Sequence, residues 1–260
     1  MPTRIDYDPQ PKLGPSAGTP IQVHLRRPPR DGVIRWHRHP WGQLACLRRG
    51  NMRVSAAGAM WVVPIHRAIW IPAGVEHENV MLGEVEFDVL YVDPRVSPLS
   101  AASCCVVEVS TLMRELTRAL ADDAIASRRR ALRARLLLEE IRAARRLPLG
   151  LPLPRDRRLR ALCDAVMAEP GSPATLKEWA RRAGASERTL ARLFRAELQI
   201  GFGAWRRQLR LTRAIDLIGR GWPLADVAAE LGYANLPAFS SMFRQALGYP
   251  PSRLGDPDPL

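Results

Sequence analysis

Lysine is almost missing from this chain. Lys12 and Lys177 are the only two, so arginine carries nearly all of a basic total of 39 residues set against 26 acidic ones. The formal charge of +13 favours polyanionic partners, nucleic acid first and an acidic membrane surface second. Arginine's planar fork suits phosphates and guanine edges. A genome rich in G and C, coding arginine for lysine, gives the same bias, so charge by itself leaves both explanations open. Cysteine is scarce too: Cys46, Cys104, Cys105 and Cys163 lack the density of a disulfide framework. The adjacent pair sits in the apolar run CCVVEV, which predicts a buried strand, with a redox-sensing thiol as the alternative. No apolar run approaches the ~20 residues of a membrane span. The opening MPTRIDYDPQPKLGPSAGTP has no apolar core behind a basic start, so it does not read as a signal peptide. The expected location is the cytoplasm, with no membrane partner.

What is present divides into blocks. A length of 260 residues suits two ordinary domains. Residues 1–20, rich in Pro, Gly and Ser, predict an arm. From 21 to 109, short apolar or alternating runs (IQVHL, GQLACL, MRVSA, MWVVP, AIWIP, EFDVLYV, CCVVEV) predict about seven strands and a small antiparallel barrel or sandwich. Over 110–146 the spacing turns helical, with Leu112, Leu116 and Leu120 in one stripe and Leu132, Leu136, Leu137 and Ile141 in another. That is a helical hairpin whose seam packs on the barrel or pairs with a second copy; a homodimer is the expectation. LPLGLPLP cannot continue a helix, because proline lacks the amide donor, and 147–155 predicts a linker. All five histidines precede it.

After the linker, over 156–255, short helices return. In TLKEWARRAGASERTLARLFRAE, Leu176, Trp179, Ala180 and Ala183 share one face. Gly184 makes a tight turn, and Ser186 is placed to cap the next helix. That helix buries Leu190, Leu193 and Phe194. A similar unit recurs about fifty residues later in PLADVAAELGYANLPAFSSMFRQALG, where Gly232 turns, Asn235 caps and Pro237 sits in the first turn. Between them FGAWRRQLRLTRAIDLI predicts one uninterrupted amphipathic helix. Two helix-turn-helix units on a rigid connector can present two helices about one DNA turn apart, ~34 Å, to successive major grooves.

These residues resemble the C-terminal DNA-binding domain of the AraC/XylS family of bacterial transcription regulators, most specifically in DVAAELGYANLPAFSSMFRQALGYPPSRL. The resemblance implies base-reading positions at Arg188, Ala191 and Arg192, with Ser186, Thr189 and Arg195 completing the first contact set. In the second unit it implies Leu236, Pro237 and Ser241, with Asn235, Ser240 and Arg244 beside them. Ser241 stands where many relatives have a basic residue, so the second helix is expected to read bases weakly. Relatives carry glycine where this chain has Gln199; Gly201 is the candidate for that turn.

The stretch WHRHPWGQL remains. Residues two apart in a strand share a side, so His37 and His39 would aim into one space, joined by Gln43 and by His77 from a later strand. With Gly32, Gly50, Pro72, Gly74 and Asn79, this resembles the two cupin motifs, which in metal-bearing cupins supply three histidines and a glutamate. Gln43 replaces that glutamate and removes the anionic ligand. A divalent transition metal on His37, His39, His77 and Gln43 is therefore one reading. An organic-effector pocket lined by the same residues, with Trp36 and Trp41 as walls, is the other. The fold class is two domains: an N-terminal cupin-like antiparallel β-barrel with a helical hairpin, and an all-α domain with two helix-turn-helix units. The function expected is a DNA-binding regulator of its own or neighbouring genes, responsive to a small molecule or metal, touching RNA polymerase if it is an activator. A cupin enzyme is the rival, and the missing carboxylate argues against it.

Overall fold

The computed structural model describes residues 14–99, 103–122 and 126–254; most of the expected arm, residues 1–13, lies outside them. The described residues fall into two compact units, one built mainly on 14–57 and 62–148, the other on 58–61 and 149–252.

In chain order the first unit contains β1 (Ile21–Arg26), β2 (Val33–His37), β3 (Gly42–Ala56) and then β4 (Ala59–Val63), whose first three residues belong to the other unit. β5 (Arg67–Ile71), β6 (His77–Val92), β7 (Cys105–Glu108), α1 (Thr111–Leu120), α2 (Ser127–Ala143) and β8 (Arg146–Leu147) follow. The sheet runs β1-β6-β3-β5-β7-β8, with β2 also on β6, and its pairs are antiparallel. The barrel expectation thus holds in part: the domain is sheet-rich and antiparallel, but the pairing is an open path and not a closed ring among the described residues.

GQLACL and MRVSA, expected as separate strands, are one. β3 stays paired with β6 from Gly42↔Val92 to Ala56↔His77 by shifting register around Arg49. Gly50 sits there at φ +71°, so close to the Glu84 carbonyl that a Cβ would lie 2.1 Å from its oxygen. Glycine is what lets the bulge form.

Ser110 caps α1 by accepting from the Met113 amide at 3.1 Å. Met113, Leu116 and Leu120 of α1, with Ala134, Leu137, Leu138 and Ile141 of α2, pack on Leu44, Trp70, Leu90, Val92 and Val107 of the sheet. Each such leucine, cut to alanine, costs about 2–5 kcal/mol. Leu112, Leu132 and Leu136, read as part of the same stripes, are exposed. A spacing of four overshoots a 3.6-residue turn, so a straight run of i+4 steps drifts off the buried face.

The second unit holds β9 (Gly150–Pro152), α3 (Arg157–Ala168), α4 (Leu176–Arg182), α5 (Glu187–Leu198), α6 (Phe202–Gly219), α7 (Leu224–Glu230) and α8 (Leu236–Leu247). Its core gathers Leu159, Leu162, Val166, Trp179, Leu190, Phe194, Trp205 and Leu209. The expected linker is not a plain one. Leu147 pairs with Val106, while β9 pairs with Ala59–Trp61 of β4 and Leu151 is fully buried. Proline forbids helix here but tolerates a strand edge. No helix among the described residues is long and apolar enough to cross a membrane.

Candidate functional site

In the second unit each turn is fixed by local chemistry. Thr175 and Glu178 form a reciprocal capping box at the start of α4. Gly184 follows it at φ +64°. Ser186 then caps α5, its Oγ accepting from the Thr189 amide at 3.1 Å and lying 2.9 Å from the Thr189 hydroxyl. Leu190, Phe194 and Leu198 are buried, which leaves Arg188, Arg192 and Arg195 exposed, with Ala191 half-buried between them.

The second copy repeats the pattern. Gly232 turns at φ +70°, where a Cβ would meet the Gly171 carbonyl at 2.1 Å. Asn235 accepts from the Ala238 amide at 2.9 Å, and Phe239, Phe243 and Leu247 are buried. Leu236, Pro237, Ser241 and Arg244 are exposed and Ser240 is half-buried. This outer face carries one arginine where α5 carries three.

α6 joins the two copies. Its 18 residues span about 27 Å at 1.5 Å each, comparable with one DNA turn. Arg206 donates to the Ala174 carbonyl at 2.9 Å, and Arg210 donates to the Pro170 carbonyl at 2.9 Å while lying over the Tyr233 ring. Desolvation lowers the Arg206 pKa from its ordinary value. These two arginines therefore tie α6 to the segment that leads into α4 and to Tyr233.

One expectation is corrected. Gln199 itself ends α5 in the left-handed region at φ 59°, with its amide donating to the Ala196 carbonyl at 3.0 Å. Gly201 is extended at φ −88° and caps α6, so it does not supply the turn.

In the first unit, three histidines meet. His37 ends β2 and sits opposite His77, the first residue of β6. His39 is not on a strand: it lies in the turn after β2, where its carbonyl accepts from the Gly74 amide at 2.9 Å. The two imidazoles share a space because a turn brings them there, not because of strand alternation. Ligand atoms of His37, His39 and His77 all lie within 4.8 Å of one another. His39, His77 and Gln43 are buried. Burial, the largest cause, lowers the His39 pKa and pushes His77 down to about 3, with the neighbouring imidazoles adding to it.

Gln43 Oε1 lies 2.9 Å from His39 Nε2. Trp41 stacks on His39 with ring centroids 5.6 Å apart, and Tyr91 meets both rings edge-on. Gly14 lies against Trp41, where a Cβ would come within 2.2 Å of the ring. Trp36, expected as a wall, is 52% exposed and next to His37 in an alternating strand, so it faces away from the cluster. Tyr91 was not legible beforehand. It joins the site through its register opposite Gln43 on β3, which no local pattern in EFDVLYV announces. The four cysteines are free, and burial raises their thiol pKa values, which suits inert packing over redox chemistry.

Residues 20–149 match the AraC-like ligand binding domain family, and residues 179–256 match a helix-turn-helix domain family. Among curated proteins, the HTH-type transcriptional regulator NimR of Escherichia coli is 33% identical over 84% of this chain and 80% of its own length. The HTH-type transcriptional activator RhaR of Pectobacterium atrosepticum is 26% identical, covering 89% of each chain.

Proposed function

Since the chain belongs to the AraC family of helix-turn-helix transcription regulators, we propose that it reads operator DNA chiefly through α5, with Arg188 and Arg192 on base edges and Arg195 on phosphate. The observation that carries this reading is the exposed arginine face of a capped helix, repeated in weaker form on α8 at the far end of α6. Two guanine-directed arginines are each worth about 1–3 kcal/mol of discrimination. Ser241 and the single Arg244 make α8 mainly a positioning helix. The reading includes a cytoplasmic homodimer that contacts RNA polymerase if it activates, and it assigns no catalytic step to the chain.

The first unit is proposed as the effector sensor, and the switch comes from an effector's unequal affinity for two subunit arrangements. The cupin-like fold implies a metal, and the donor set fits one: His77 Nε2 is buried without a hydrogen-bond partner, and the ligand atoms of His37, His39 and His77 lie within 4.8 Å of one another. His37, His39 and His77 would hold the ion, with Gln43 adjoining. A bound ion would supply a positive centre that an effector's oxygen or nitrogen atoms coordinate.

Fluorescence anisotropy at fixed salt tests the DNA side. The purified protein is expected to prefer the upstream region of its own or a neighbouring gene to a scrambled duplex by ~10³-fold or more. Equal affinity for both would end the regulator reading at this operator class.

A further inference from the structure

The three imidazoles are anchored alike. His37 Nδ1 lies 2.7 Å from the Arg35 carbonyl, His39 Nδ1 2.7 Å from the Trp41 carbonyl, and His77 Nδ1 2.9 Å from the Val75 carbonyl. A carbonyl only accepts, so Nδ1 carries a hydrogen in all three, and a neutral ring then keeps a lone pair on Nε2. Protonating both nitrogens of His39 would instead place a cation against two other imidazoles, in a cluster that no carboxylate joins among the described residues. The Nε2 of His77 has no partner. That of His39 faces the Gln43 amide at 2.9 Å. The Gln43 atom at that distance is Oε1; a lone pair needs a donor opposite it, so a neutral His39 requires the carboxamide turned end for end, with its nitrogen toward His39. The two ends of a carboxamide have the same shape, and only such partners tell them apart.

We infer that Gln43 is a latch on the histidine cluster: its N–H bond to His39 Nε2 masks one of three donors, and a cation entering the site must break it. The inference rests on the metal reading above. It makes Gln43 a competitor at the position where the cupins this chain resembles place a ligating glutamate. The latch sets how tightly an ion is held, and the neutral nitrogen donors set its kind: zinc, nickel, cobalt or copper in preference to magnesium or calcium.

Two measurements on the full chain test it. Long-range ¹H–¹⁵N spectra of the metal-stripped protein should show His39 protonated at Nδ1, with an unprotonated Nε2 whose shift moves in Gln43→Leu while the tautomer stays. A proton on His39 Nε2 would overturn the latch whether or not metal binds. Competition with a chromophoric chelator for zinc and nickel should then show Gln43→Ala binding about two- to tenfold tighter than the unmodified chain, the worth of one hydrogen bond, and Gln43→Glu tighter still. Weaker binding by Gln43→Ala makes Gln43 a ligand and overturns the proposal. No uptake by any of the three proteins removes the metal reading itself, and with it the competition, leaving the spectra to report the Gln43–His39 bond separately.

Discussion

Arg192 and Arg195 lie three residues apart on α5, both exposed, yet their proposed roles separate by what each would touch. Arg192→Ala should relax base preference at one operator position by about 1–3 kcal/mol. Arg195→Ala should weaken binding to every sequence alike and lower the slope of log K against log salt by about one. Anisotropy titrations on matched and mutated operators at several salt concentrations separate the two; equal loss of discrimination in both variants would reject the assignment. Gln199 offers a test on stability. An L-residue in the left-handed region is strained by ~1–2 kcal/mol, while glycine adds ~0.4–1 kcal/mol of chain entropy to the unfolded state. Gln199→Gly should therefore stabilise the second unit by about 0.5–1 kcal/mol, read as a higher urea midpoint; a lower one would mean the Gln199–Ala196 hydrogen bond outweighs the strain.

At the scale of elements, α2 has two apolar faces and the sheet covers only one. Leu132 and Leu136, one turn apart, are 62% and 45% exposed, an arrangement suited to a second copy of the same helix. Because neither leucine contributes to the core, the double variant Leu132→Glu/Leu136→Glu should fold normally but run at the 29.0 kDa of one chain in light scattering, with operator binding weakened to that of a half-site. An unchanged dimer mass would move the interface elsewhere. α5 and α8 are both capped by a side chain at the start and both bury phenylalanine, and their outer faces differ, with three arginines on α5 and one on α8; that difference is the basis of the proposed division into a specifying and a positioning helix.

For the whole molecule, the second unit is not one stretch of sequence. Ala59–Trp61 pairs with β9, Leu153 donates to the Gly58 carbonyl at 2.9 Å, Met60 packs on the unit's core, and the Trp205 indole donates to the Pro152 carbonyl at 2.9 Å. A fragment beginning at residue 149 keeps both helix-turn-helix units but loses residues 58–61. It should bind operator DNA yet unfold with about 1–2 kcal/mol less stability, roughly 5–10 °C in melting temperature for a domain of this size; the same melting temperature as that unit in the full chain would show that the strand adds nothing. The sequence by itself determined the helical half, because caps, turn glycines and apolar spacing act over three or four residues and leave their marks side by side in the chain. It also marked His37, His39, Gln43 and His77 as a group by motif. Only the tertiary structure decided that β3 is one bulged strand, that His39 reaches the cluster from a turn, that Tyr91 joins it, that Trp36 faces out and that residues 58–61 complete the second unit. Each of those depends on register or pairing between segments tens of residues apart, and a two-residue side-chain period reports which face a residue takes but not which strand lies opposite.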